Sequence, residues 1–189
     1  MLDKSEANFE ATIEAHLLGN GWHKKEGTIK AGDYDRTRCL IPDDVMTFIE
    51  TTQPEEWQKV KARYGDNARE SFLDRLASQI ESRGTLSVLR EGVSDRGGRF
   101  KLVFFRPATT LNPDLQEMYR GNRFTVVRQL HFSEVDTAKS LDISLFINGI
   151  PIATVELKNP FTGQRASNAK WQYKKTRNPD APLFNFGRC

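Results

Sequence analysis

The residues of this chain best suited to chemistry lie between Leu141 and Asn159, in the run LDISLFINGIPIATVELKN. Asp142 stands at its start, Asn148-Gly149 turns it, and Glu156-Leu157-Lys158 closes it. Two carboxylates and an amine on neighbouring strands can support metal-assisted hydrolysis of a phosphodiester. That reaction needs a hard cation to activate water and offset charge on the phosphorane. Carboxylate oxygens suit Mg2+, which keeps several waters and takes only one or two protein carboxylates. Asp142 and Glu156 are the expected metal ligands, aided by the carbonyl of Leu157. Lys158 is expected to orient or deprotonate the attacking water and to stabilise the transition state. The chemistry requires the three side chains to converge within about 5 Å.

The hairpin must bring them together. Side chains alternate faces along a strand, so Glu156 and Lys158 share a face and Leu157 takes the other. A two-residue Asn148-Gly149 loop would set Ile147 against Ile150 and Asp142 against Val155, putting Asp142 on the wrong side. A three-residue loop, Ile147 to Gly149 with Gly149 left-handed in a G1 bulge, sets Phe146 against Ile150 and Asp142 against Thr154. One face then reads Leu141, Ile143, Leu145, Pro151, Ala153, Val155, Leu157 and is wholly apolar. The other carries Asp142, Glu156 and Lys158. A one-residue slip flips every side chain, so the clean face selects the bulged register. An acid followed by ExK is also common in solvated hairpins, and the pattern alone has low specificity.

Other elements frame this hairpin. Ser5 to Gly19 reads as a helix with an apolar stripe at Phe9, Ile13 and Leu17, Glu10 and Glu14 on its flank, and a stop at Gly19-Asn20-Gly21. Trp22 begins a short extended piece. A charged helical zone starts at Pro42-Asp43-Asp44, breaks at Pro54 and runs to about Ser82. The period then changes. Leu86 to Leu89 and Phe100 to Phe105 read as strands around a turn at residues 94–98, and Asn112 to Arg120 as a loop or short helix. Phe124 to Leu130 is a further strand. Ser167 is placed to cap a last helix ending near Thr176, and Leu183 to Phe186 reads as the opening of a buried strand. The class expected is α/β, with a mixed central sheet flanked by helices. The domain expected is a single unit over 1–189, with a helical insertion at about 42–83 and a catalytic core at about 122–189. The chain stops soon after entering a core strand, which suggests an N-terminal fragment of a longer polypeptide.

Composition sets broad limits. The chain has 189 residues and a formal net charge of +3, compatible with nucleic acid but no argument for it. Cys39 and Cys189 form neither a disulfide framework nor a zinc spacing, as suits a reducing cytoplasm. His16, His23 and His131 lack ligand spacing. The polar, acidic N-terminal residues lead to the expectation of no secretory leader, and no run of about 20 apolar residues occurs in the sequence. Lys170, Trp171, Tyr173, Lys174, Lys175 and Arg177 make a basic-aromatic helix suited to phosphate contacts and base stacking. A packed amphipathic helix with solvated lysines fits the same residues.

Several runs together resemble one family. They are Asn148-Gly149-Ile150-Pro151, Glu156 through Pro160, Asn168-Ala169 with Gln172-Tyr173, and Pro182-Leu183-Phe184. The opening, Phe9-Glu10 through Ile13-Glu14 and Leu17 to Trp22, joins them. The chain is similar to the N-terminal nuclease domain of the restriction (R) subunit of type I restriction-modification enzymes, of the PD-(D/E)xK superfamily. The resemblance implies that the family's acid, glutamate and lysine fall on Asp142, Glu156 and Lys158. It puts the first-helix glutamate on Glu10 or Glu14, with Glu10 preferred. It puts the family's downstream glutamine on Gln172, although the tyrosine expected four residues later is Thr176 here and Tyr173 is adjacent instead. It implies Mg2+, double-stranded DNA, and methylation and specificity subunits as partners. It also implies a following ATP-driven translocase, for which this chain has no GxxxxGK[ST] loop. Two other functions fit the residues: a repair or mobile-element nuclease of the same superfamily, and a DNA-binding or assembly module that does not cut in isolation.

Overall fold

The computed structural model describes residues 6–26, 33–135, 137–158, 166–175 and 181–184. The chain forms the expected mixed α/β architecture. Helix α1 (Glu6–Gly19) leads into strand β1 (His23–Glu26). Helices α2 (Pro42–Thr52), α3 (Pro54–Tyr64), α4 (Ala68–Arg83) and α5 (Thr85–Glu91) follow. A small hairpin, β2 (Val93–Asp95) and β3 (Gly98–Phe100), precedes α6 (Pro113–Arg120). Strands β4 (Phe124–Leu130), β5 (Leu141–Ile147) and β6 (Ile150–Val155) complete the sheet, and α7 (Ala166–Lys175) comes last. The main sheet has the order β1-β4-β5-β6. β1 runs parallel to β4, whereas β4–β5 and β5–β6 are antiparallel. No helix among the described residues is long and apolar enough to cross a membrane.

Both faces of this sheet are covered. Ile13 and Leu17 of α1, with Trp22, pack against Val126, Ile143, Leu145, Val155 and Leu157. On the opposite side Val127, Phe146, Leu130 and Leu141 meet Cys39, Ile41, Phe132 and Leu183, with Tyr173 of α7 alongside. A separate core joins α2 to α5 around Phe72, Leu73 and Leu76, and Ile150 at the hairpin tip belongs to it. The sheet is thus flanked by helices on both sides, as expected. Ser144 and Phe146, which the expected register put on the face of Asp142, are both fully buried.

The hairpin departs from the three-residue loop expected from its pattern. Ile147 pairs with Ile150, so the loop is the two residues Asn148 and Gly149. Both have positive φ, 50° and 77°, as a type I′ turn requires. The bulge exists but lies further along: Leu145 pairs with Ala153 while Phe146 pairs with Pro151, leaving Ile152 as the extra residue of β6. Its effect on the site is the one that the expected bulge would have had. Beyond it Ser144 pairs with Thr154 and Ile143 with Val155, so one further step sets Asp142 directly opposite Glu156.

Tertiary contacts explain the tight turn. The Asn148 side chain accepts from the Arg123 amide at 2.6 Å and donates to the Leu102 carbonyl at 2.9 Å and to Asn122 Oδ1 at 3.0 Å. The carbonyl of Gly149 accepts from the Ile41 amide at 2.9 Å, docking the tip onto the start of α2. Asp44 in the first turn of α2 accepts from Thr125 Oγ1 at 2.7 Å and pairs with Arg123 and Lys25, tying that helix to β4 and β1.

Four other expectations are corrected. Residues 86–89 are not a strand but lie in α5, where Val88 is buried and Leu86 is 59% exposed. Of residues 100–105 only Phe100 is in a strand. The rest is extended chain whose ladder partners are side-chain amides. Gln53 bonds the Lys101 amide and carbonyl at 2.7 and 2.8 Å, and Asn122 bonds those of Phe104 at 3.0 and 2.6 Å. Pro182–Phe184 is a 3-10 turn with Leu183 buried, while residues 185–189 lie outside the described residues. Ser167 lies inside α7, which starts at Ala166.

Candidate active site

The site forms at the open end of the β5–β6 hairpin, where β4 and α1 meet it. Asp142 is the second residue of β5, and its Oδ2 accepts from the Leu157 amide at 2.6 Å. This bond pins the chain leaving β6 to the start of β5. Leu157 itself is buried beneath α1. Lys158 donates from Nζ to Glu156 Oε1 at 3.0 Å, so the two side chains lie on one side with Leu157 on the other, as alternation demands. Burial pushes the Asp142 carboxyl above the usual carboxylate range. The Leu157 amide opposes that, the charges of Glu156 and Glu10 add to it, and Lys158 opposes it. Asp142 therefore lies close enough to Glu156, Lys158 and Glu10 to feel their charges.

Glu10 arrives from α1. Of the stripe predicted to face the core, Ile13 and Leu17 pack on the sheet but Phe9 is 53% exposed, while Glu10 and Glu14 are buried. Arg128 of β4 is the cause. It points from the sheet toward α1, donating to Glu10 Oε2 at 3.3 Å, to Glu14 Oε2 at 3.4 Å and to the Ala7 carbonyl at 3.3 Å. Buried carboxylates are tolerated where an opposite charge and hydrogen bonds meet them. Glu14 also pairs with Lys24 at 3.5 Å. Glu10 has a second partner, Gln129, whose Nε2 donates to Glu10 Oε1 at 2.9 Å and to Asp142 Oδ1 at 3.5 Å. Of the two helix acids, Glu10 is thus the one tied to Asp142.

Four carboxylates, Glu10, Glu14, Asp142 and Glu156, face three cationic side chains, Lys24, Arg128 and Lys158. The excess is negative, and the carboxylates offer oxygen atoms as ligands. Such a set fits a hard divalent cation. Among the described residues no three His, Cys, Asp or Glu side chains group as a complete ligand set. The expected donors are two carboxylates and a carbonyl, a smaller protein contribution of the kind Mg2+ accepts.

Comparison with family models matches residues 3–188 to the type I restriction enzyme R protein N terminus. The chain belongs to this family. Comparison with curated proteins and with solved structures gives no significant match. Within this R-protein N-terminal module, α7 carries the remaining expected residues. Lys170, Lys174 and Lys175 are exposed, as is Trp171 at 61%. Gln172 and Tyr173 are half-buried. The Tyr173 hydroxyl donates to Thr154 Oγ1 at 3.0 Å and its ring meets Phe184 edge-on, which ties α7 to β6. Arg177 and Thr176 lie outside the described residues.

Sequence reasoning missed Arg128, Gln129 and Ser140. A signal was available. Arg128-Gln129 breaks the apolar run of a strand, FTVVRQL, and a polar pair facing a packed helix calls for partners.

Proposed function

We propose that this R-protein module is a Mg2+-dependent endonuclease that cleaves phosphodiester bonds of double-stranded DNA. One observation carries the reading: Asp142 is half-buried with its charge crowded by Glu156 and Glu10, beside Lys158, in a chain of a restriction-enzyme family. Glu156 and Glu10 already meet Lys158 and Arg128, and a further carboxylate crowded against both suits a site completed by a metal.

Asp142, Glu156 and the Leu157 carbonyl are the residues that would hold the cation. When bound, Mg2+ supplies a polarised water and charge neutralisation at the scissile phosphate. The chain's own groups do the rest. The Leu157 amide fixes one Asp142 oxygen, leaving the other facing Gln129. Lys158 positions or deprotonates the nucleophile and offers positive charge to the phosphate in the transition state. Glu10 adds negative charge that strengthens cation binding. Gln172 is assigned to the site through the family motif. Lys170, Tyr173, Lys174, Lys175 and Arg177 are assigned to the DNA, with the exposed lysines of α7 as the backbone contacts. Methylation and specificity subunits, and an ATP-driven translocase elsewhere in the protein, are the proposed partners of the module. The proposed location is the cytoplasm.

Nicking of supercoiled plasmid by the intact protein tests this, with Mg2+ or with EDTA. Cleavage is expected to require Mg2+ and to fall by on the order of 10²–10³ in Glu156→Ala and in Lys158→Ala. Equal nicking by all three proteins would refute the assignment.

A further inference from the structure

Gln129 occupies the one position of β4 where the backbone leaves the strand region. Its φ is 51°, left-handed, which a glutamine adopts at a cost. The pairing of β4 with β5 is regular up to Arg128 with Ile143 and resumes at Leu130 with Leu141. Asp142, the residue that regular pairing would set against Gln129, is the proposed metal ligand. The strand is thus distorted beside the acid.

The side chain shows what the distortion achieves. Gln129 Oε1 accepts from the Ser140 hydroxyl at 2.6 Å. The carboxylates only accept, so they fix which end of the amide is which: Nε2 and its two hydrogens face the acids, and Oε1 is left to Ser140. They reach Glu10 Oε1 at 2.9 Å and Asp142 Oδ1 at 3.5 Å. One neutral group thereby joins a carboxylate of α1 to a carboxylate of β5. An arginine or lysine here would cancel the negative charge that attracts a cation. An apolar residue would leave two like charges free to separate. An amide holds both and adds no charge.

We propose that Gln129, oriented by Ser140, is a positioning residue that fixes Glu10 relative to Asp142 for a divalent cation. The assignment rests on the cation-binding reading of the site given above. Groups that orient metal-binding side chains typically alter metal affinity or activity by about 10–100-fold when removed.

Mn2+ binding to the intact protein, followed by electron paramagnetic resonance, tests it without depending on DNA cleavage. The Mg2+ dependence of nicking is measured alongside. Gln129→Leu and Gln129→Gly are each expected to weaken Mn2+ binding by about tenfold or more. Both should raise the Mg2+ needed for half-maximal nicking by a similar factor, while the rate at saturating Mg2+ falls less. Glycine adopts the left-handed backbone freely and leucine does not, so a loss common to both belongs to the amide. Ser140→Ala is expected to show a smaller weakening of the same kind, and Ser140→Thr, which keeps the hydroxyl, to bind as the wild type does. Wild-type metal dependence in both Gln129 variants would overturn the positioning role and leave the site reading standing. Absence of Mn2+ binding by the wild-type protein would instead remove the site reading itself.

Discussion

The two ends of the β5–β6 hairpin are built on opposite principles. At the tip, Asn148 and Gly149 are buried and their polar groups are matched one by one by Arg123, Leu102, Asn122 and Ile41. At the open end, Asp142, Glu156 and Glu10 crowd together, and the Asp142 carboxyl binds its proton more tightly than an ordinary aspartate. Each end has a non-glycine residue with left-handed backbone, Asn148 in the turn at φ 50° and Gln129 of the adjoining β4 at φ 51°. Asparagine tolerates that region because its short amide bonds locally, and here it serves a turn that demands it. Glutamine has no such ease, and its amide serves side chains instead of backbone. Strain that satisfies the fold and strain that arranges charge are thus found at opposite ends of β5, one in its turn and one in the neighbouring strand β4. Local rules tend to be broken where function requires it.

Breaking the tip should damage folding and spare the site. Gly149→Ala has the largest expected effect. An added Cβ would lie 2.4 Å from the Ile41 carbonyl and 2.8 Å from the Val45 amide, both backbone, at a φ of +77°. Overpacking against atoms that cannot rotate away, with left-handed strain, costs about 3–5 kcal/mol. Urea unfolding should show this as a shifted midpoint, with Mn2+ affinity per folded molecule unchanged. A wild-type midpoint would mean that the tip is not docked on α2.

Asn148→Ala is expected to cost somewhat less, about 2–4 kcal/mol, for the three side-chain hydrogen bonds lost from a buried position. Asn148→Gly keeps the backbone at ease and loses the same bonds, so the difference between the two variants isolates left-handed strain. Equal midpoints for the two would show that the bonds alone carry the asparagine preference. Loss of metal binding in either, at full folding, would erase the division between the ends.

The sequence made the central hairpin, the α/β class and the shared side of Asp142 and Glu156 legible, because alternation and an Asn-Gly pair are local signals. The position of the bulge was not local. Choosing between a two- and a three-residue loop required knowing that Asn148 would find Leu102 and Asn122, and that Gly149 would meet Ile41. The correct face followed from an incorrect register because either bulge restores the same parity. The orientation of α1 was only partly visible. Ile13 and Leu17 of its apolar stripe do face the core, but an arginine more than a hundred residues away draws the two glutamates inward and Phe9 stays exposed. Residues 102–105 are a continuous apolar run that reads as a strand, yet Gln53 and Asn122 take the places of neighbouring strands. Each miss concerns a partner distant in sequence.

The smallest effect reports most directly on the open end. The Asp142 carboxyl is raised in the folded protein, chiefly by burial and then by Glu156 and Glu10. A raised carboxyl means that the folded state binds the proton more tightly than the unfolded chain does. Stability linked to this group is therefore fully present below the ordinary aspartate range and is lost as pH rises through the folded value. Asp142→Asn removes the charge and can keep an oxygen for the Leu157 amide. Without metal, the variant should be slightly more stable than the wild type at neutral pH, and the gain should vanish as pH falls below the ordinary aspartate range. Denaturant midpoints across that range in EDTA give the comparison. Saturating Mg2+ should reverse the order at neutral pH, because the wild type gains binding free energy that the variant cannot. A variant less stable than the wild type in EDTA at neutral pH would show that Asp142 is held as a structural ion pair, and the open end would then resemble the tip.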